Sequence, residues 1–127
     1  MKRDYIRDPL GEPVDVYDAY NETIIELAEE DDSIVLLYVD FGSGKAGEVF
    51  RQKYSDRIYD FGIAEANTVS VAAGLAAAGK TPFYHGHSVF GVGRAYNQIR
   101  QNIAYDTLNV KLILCAAGTI TYLVGSS

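Results

Sequence analysis

Asp60-Phe61-Gly62-Ile63-Ala64-Glu65-Ala66-Asn67 runs straight into Thr68-Val69-Ser70-Val71-Ala72-Ala73-Gly74-Leu75-Ala76-Ala77-Ala78-Gly79, a segment without a single charge. The second part reads as a helix over about 64–78, ended by Gly79 where a residue free to take positive φ suits a helix C-terminus. Arg57 to Phe61 reads as a short strand leading into it. A strand, a turn and a helix of small apolar residues are the repeating step of a layered α/β fold. This step carries one carboxylate, Glu65, at the head of an apolar helix. An acid near a helix N-terminus is favoured by the dipole. In poorly solvating surroundings a carboxyl group either resists ionisation or takes a dedicated partner.

Outward from this stretch the same alternation continues. Residues 15–30 read as an amphipathic helix, with Val16, Ala19, Tyr20, Ile24, Leu27 and Ala28 recurring near helical spacing. Ser33 to Phe41 is an apolar run typical of a strand buried on both faces. Gly42-Ser43-Gly44 is a turn, and Ala46 to Tyr54 suits a short helix. Thr81 to His85 reads as a strand, with Pro82 near its start where a missing amide is tolerated. Ser88 to Tyr105 reads as one helix and Asn109 to Ala116 as a strand. The pattern predicts an α/β fold, a mostly parallel sheet flanked by helices. Ligands of such sheets lie beyond the carboxyl ends of the strands, so the loops 40–45, 60–65, 84–90 and 116–120 are the expected rim of a site.

Composition narrows the function. The chain has 127 residues, an ordinary size for one domain, and nearly half of them are hydrophobic. Its formal net charge is −6, and Asp106 is the only acid after Glu65. This balance argues against nucleic acid or an anionic membrane as partner. Glu29-Glu30-Asp31-Asp32 reads as a solvated helix end and turn. Cys115, the single cysteine, lies in an apolar run and reads as a packing residue. Neither an apolar signal region near Met1 nor an 18-residue apolar stretch occurs, so a cytoplasmic protein is expected.

Glu65 in Gly62-Ile63-Ala64-Glu65, then Ala72-Ala73-Gly74-Leu75-Ala76, Gly79-Lys80-Thr81-Pro82-Phe83 and Arg94-Ala95-Tyr96-Asn97-Gln98-Ile99-Arg100 form a specific combination. In this order they resemble the pyrimidine-binding domain of the transketolase family, thiamine-diphosphate enzymes that move two-carbon ketol units. The resemblance is good from about Asp56 to Lys111 and followable from Tyr17 to Phe41. It implies that residues 1–127 are a single, partial pyrimidine-binding domain, incomplete at the C-terminus. It also implies a catalytic and cofactor-binding role for Glu65. In that family the carboxyl group at this position hydrogen-bonds a ring nitrogen of the aminopyrimidine and promotes the imino form that activates the thiazolium carbon. Phe90 matches the family's stacking phenylalanine. His87 stands at an earlier aromatic position, where a flat imidazole still stacks, and is also a candidate for substrate contact. Ser43, in a loop that lies near the substrate channel in the family, is a weaker substrate candidate. Arg94 and Arg100 read as structural or interface residues. The metal, Mg2+, and the diphosphate belong to a companion domain with a Gly-Asp-Gly…Asn motif that this chain lacks. A companion subunit, a homodimer or both are therefore expected, acting on a small ketose or hydroxy-ketone.

Departures from the family pattern bear on the substrate. Tyr17 stands where transketolases carry an arginine for sugar phosphates, Ala116 where they carry a histidine, and Val124 within a stretch that is normally acidic. Each charge-assisted bond lost to a phosphate contributes on the order of 1.5–3 kcal/mol. An ordinary pentose phosphate is accordingly a poor fit. A non-catalytic remnant or assembly module of the same fold is the alternative function. Two other patterns compete. Gly42-Ser43-Gly44-Lys45-Ala46-Gly47 is a literal GxGxxG after a strand, but the stretch to Asp60 leaves room for only a short helix, whereas a dinucleotide fold needs a full crossover. His85 and His87 lie two apart without a nearby third ligand, which suits few metal sites.

Overall fold

The computed structural model describes residues 15–40 and 44–117. Helix α1 spans Val16–Glu30, and Asp15 caps it by accepting a hydrogen bond from the Tyr17 N–H at 2.9 Å. Its buried residues, Asn21, Ile24 and Ala28, recur every three or four positions, so one face meets the sheet. Strand β1 (Ile34–Tyr38) is buried along its whole length. Helix α2 is Gly44–Lys53, strand β2 is Ile58–Asp60, and helix α3 is Glu65–Ala77. Strand β3 (Thr81–His87) leads to helix α4 (Ser88–Gly93), and after a helical segment the chain closes on strand β4 (Lys111–Cys115).

The four strands pair in the order β2-β1-β3-β4, all in parallel. Leu36 lies opposite both Ile58 and Phe83, and Tyr84 lies opposite Leu112. A central strand must be apolar on both faces, and β1 is. Ile34, Leu36 and Tyr38 pack with Ile24, Ala28, Ala46 and Phe50 under α1 and α2. Val35 and Leu37 pack with Ala72 of α3 on the other face. Beside them Val39, Val69, Ala73, Tyr84, Ala95 and Ile103 form a further cluster. From β1 the chain winds outward to β2, then crosses back to β3, so β1 and β3 send their following loops in opposite directions. A crevice opens between their carboxyl ends, the place where such sheets take ligands.

The expected element types hold, most boundaries shift by a few residues, and two differences bear on the site. Strand β3, expected to end at His85, runs to His87, because His87 pairs with Cys115 of β4 as His85 does with Ile113. The expected single helix 88–105 is three pieces: α4, a short α5 at Tyr96–Gln98, and a π-helical turn at Ile99–Ala104. Gly91 and Gly93 propagate a helix poorly, and Ala95 leaves helical geometry at φ −103, ψ 9. Gly91 is required for another reason: a Cβ there would lie 2.6 Å from Leu114 Cδ2, so α4 seats directly on β4. No described helix is long and apolar enough to cross a membrane.

Candidate functional site

The rim of the sheet is tied together by Asp60. Its Oδ1 accepts from the Asp40 N–H at 2.9 Å and from the Gly62 N–H at 3.0 Å, joining the ends of β1 and β2. Asp40 and Gly62 both take left-handed backbone, φ 54 and φ 65. This conformation is open to Gly and tolerated by Asp. The Ala64 N–H then bonds the Gly62 carbonyl at 2.7 Å, and α3 begins at the next residue, Glu65. Ala64 offers no capping side chain. Glu65 is therefore the one acid in the first turn of α3, where exposed N–H groups favour a negative charge. It is 5% exposed.

A cavity of about 260 Å³ opens over this carboxylate, lined by Val39, Asp40, Ile63, Glu65, His87, Phe90 and Arg94. Three segments supply it: the end of β1, the turn into α3, and the passage from β3 into α4. Glu65, Phe90 and His87, three of the candidate residues, thus line one cavity, and the His87 and Phe90 rings meet edge to face at 6.1 Å and 87°. Ser43, Val124 and the stretch around it lie outside the described residues. Ala116 is described, with left-handed backbone at φ 56 just beyond β4.

Arg94 is the member the sequence reading placed elsewhere, as structural or interface. Its Nη1 lies 3.5 Å from Glu65 Oε2, and its guanidinium carbon lies 4.7 Å from the centre of the Phe90 ring. The Arg94 side chain is half exposed while that of Glu65 is 6% exposed, so a partly solvated cation meets a buried carboxylate. One signal was available in the sequence: Phe90 and Arg94 are four apart, neighbours on a helix surface.

His85 sits behind the site, in the core. It is 1% exposed and surrounded by Tyr17, Tyr20 and Tyr38 at ring distances of 5.6, 5.8 and 5.3 Å, the Tyr20 ring stacked on it. Burial, and then the charge of His87, pushes its pKa down to about 4. Tyr84, fully buried on the opposite face, is pushed up to about 12 by burial and by the charge of Glu65. A larger cavity of about 400 Å³ opens at the other end of the sheet, lined by Asp32, Tyr54, Asp56, Arg57 and Lys80 among others. It faces the amino ends of the strands, and its Arg57 is already committed to Asp32 at 3.5 Å and to main-chain carbonyls. Size does not decide here; the smaller cavity has the buried acid and the switch-point position.

Residues 12–122 match the family model described as transketolase, pyrimidine binding domain. The chain is similar to the 6-deoxy-6-sulfo-D-fructose transketolase subunit SqwH of Clostridium sp. (strain MSTE9), 39% identical over 110 residues, 87% of this chain and 34% of that protein. It is 38% identical over 101 residues to the 1-deoxy-D-xylulose-5-phosphate synthase of Clostridium perfringens (strain SM101 / Type A), 80% of this chain and 16% of that protein. Among solved structures it resembles one described as a split gene transketolase, inactive beta4 tetramer. That likeness has a TM-score of 0.68 and 40% identity, covering 76% of this chain and 32% of that one. The chain spans about a third or less of each of these relatives.

Proposed function

The chain belongs to the transketolase pyrimidine-binding domain family, and on that premise we propose that it is the pyrimidine-binding part of a thiamine-diphosphate-dependent transferase. Thiamine diphosphate supplies, when bound, the thiazolium carbon that carries the transferred two-carbon unit. The observation that carries the proposal is Glu65, a buried carboxylate at a helix N-terminus on the wall of a cavity shared with Phe90 and His87.

The residues present fit one end of that cofactor. A carboxylate and two aromatic walls suit an aminopyrimidine ring, held by a hydrogen bond and by stacking. The cavity is below the roughly 300–1,000 Å³ of sites that enclose a whole drug-sized ligand. Among the described residues its lining offers one cation, Arg94, and no cradle of donors for a diphosphate. On this reading Glu65 accepts and returns a proton at the ring, Phe90 and His87 fix the ring plane, and buried Val39 excludes water. A companion chain or domain holds the diphosphate and Mg2+, and the working assembly is a dimer or larger in the cytoplasm, acting in carbohydrate metabolism. With Tyr17 in place of a phosphate-binding arginine, the substrate is a small ketose or hydroxy-ketone other than a pentose phosphate.

Co-expression with a diphosphate-binding partner, followed by calorimetric titration of thiamine diphosphate with Mg2+, tests this. Saturable binding that needs both chains and weakens in Glu65→Ala is expected. Binding indifferent to Glu65, or none in any combination, would refute it and leave an assembly module of the same fold.

A further inference from the structure

On the reading that Glu65 anchors a pyrimidine ring, we infer that Arg94 is a displaceable counter-ion, occupying the carboxylate and the Phe90 ring until the pyrimidine takes both. Arg94 spans the two surfaces such a ring needs, with Nη1 at 3.5 Å from Glu65 Oε2 and its guanidinium carbon 4.7 Å from the Phe90 centroid. A planar guanidinium on an aromatic face, bonded edge-on to a carboxylate, imitates a protonated heteroaromatic ring in shape and charge. While it is there, Nη1 engages Oε2, and a ring donor reaches that oxygen only once the cation leaves. Arg94 lines the cavity of about 260 Å³, so a ring seated against both Glu65 and Phe90 displaces its guanidinium from them.

The local backbone lets Arg94 leave. It stands where α4 ends and before Ala95, whose φ of −103 breaks the helix. Gly93 beside it has open space at its Cβ position, and the Arg94 side chain is already half in solvent. The π-helical turn that follows, Ile99–Ala104, is of a kind that clusters at functional sites. Glu65, in contrast, is fixed by a continuous helix. Arg94 is thus a positioning residue: it keeps the buried acid solvated in effect, and the cavity open, without the ring.

The test uses the full chain, isotopically labelled, and as probe 4-amino-5-hydroxymethyl-2-methylpyrimidine, the cofactor's ring as a free alcohol. In wild type the Arg94 Nε–Hε signal should stand apart from those of exposed arginines and move to their averaged position on titration. In Glu65→Ala it should be averaged from the start. Arg94→Met, which keeps the aliphatic packing on Phe90, should bind the probe about three- to thirtyfold more tightly, the combined size of one exposed ion pair and one cation–π contact. Arg94→Lys, compact and unable to stack, should fall between. Binding that is weaker or unchanged in Arg94→Met, yet still dependent on Glu65, overturns the inference alone and makes Arg94 a ring contact or a bystander. Absence of probe binding in every variant, or binding indifferent to Glu65, overturns the reading of the site and the inference with it. Should Arg94→Met fail to fold, the Lys variant and the Nε–Hε signal decide.

Discussion

His85 makes the stability of this chain depend on pH below the ordinary imidazole range. Its ordinary value is 6.5 and the fold lowers it to about 4, first by burial and then through the charge of His87. A depressed base is neutral in the native state and charged in the unfolded one, so below pH 6.5 the unfolded chain binds more protons and stability falls with pH. At about 1.4 kcal/mol per pH unit, the loss reaches about 2 kcal/mol by pH 5 and about 3 kcal/mol below pH 4. Above pH 7 the group contributes no slope. The surroundings agree with burial as the larger cause: among the described residues the rings of Tyr17, Tyr20 and Tyr38 pack around His85. His85→Phe keeps the stacking on Tyr20 and removes the titration. Urea unfolding of both proteins at pH 7.5 and pH 5 isolates the effect, since the carboxylates are common to both. Wild type should lose about 2 kcal/mol more than the variant between these conditions. An equal loss in the two proteins, or an imidazole titration near 6.5 assigned to His85 by NMR, would refute the reasoning.

Two further predictions concern Arg57, near the amino ends of the strands, and Tyr84, midway along β3. Arg57, buried, donates from Nη1 to the Asp31 carbonyl and from Nη2 to the Ala28 carbonyl, each at 3.1 Å, and lies 4.0 Å over the Tyr54 ring. Arg57→Met should cost about 2–3 kcal/mol, because the two carbonyls can rehydrate only through the adjoining cavity, and lower the urea midpoint by about 1–1.5 M at unchanged slope; a loss under about 0.5 kcal/mol would mean the helix end does not need it. The Tyr84 hydroxyl is fully buried and meets no hydrogen-bonding group of the described chain, standing close to Gly86 and Gly91. Tyr84→Phe should leave stability unchanged or raise it by up to about 1 kcal/mol, and a drop of more than that in thermal unfolding would reveal a bonded water.

Much of this was legible in the chain because it is written locally. Apolar runs bounded by turn residues located β1 and β2, and the uncharged segment after Glu65 located α3 and put the acid at its head. What stayed hidden depends on contacts between distant segments. Arg94 and Glu65 are 29 positions apart and meet only because α4 breaks after Gly93. The apolar spacing from Phe90 through Tyr96 to Ile99 suits an unbroken helix, and the small residues that let α4 press on Leu114 and Tyr84 end it instead. His85 reads as the end of a strand, and nothing local shows that three tyrosines from α1 and β1 close around it. The end of β3 was set by a partner strand, and local composition carries no record of that.

Parallel order sends the acid, the rings and the displaceable cation to one end of the sheet, while Arg57, Asp31 and the Ser33–Thr81 hydroxyl pair hold the other. Seven residues of β3 at about 3.3 Å each set these poles roughly 20 Å apart. Substitutions separated by more than about 10 Å, without shared partners, combine almost independently. A lineage of such chains is therefore free to harden or soften one pole while trying new substrates at the other. The same independence gives an engineer a place to add thermal tolerance before altering specificity.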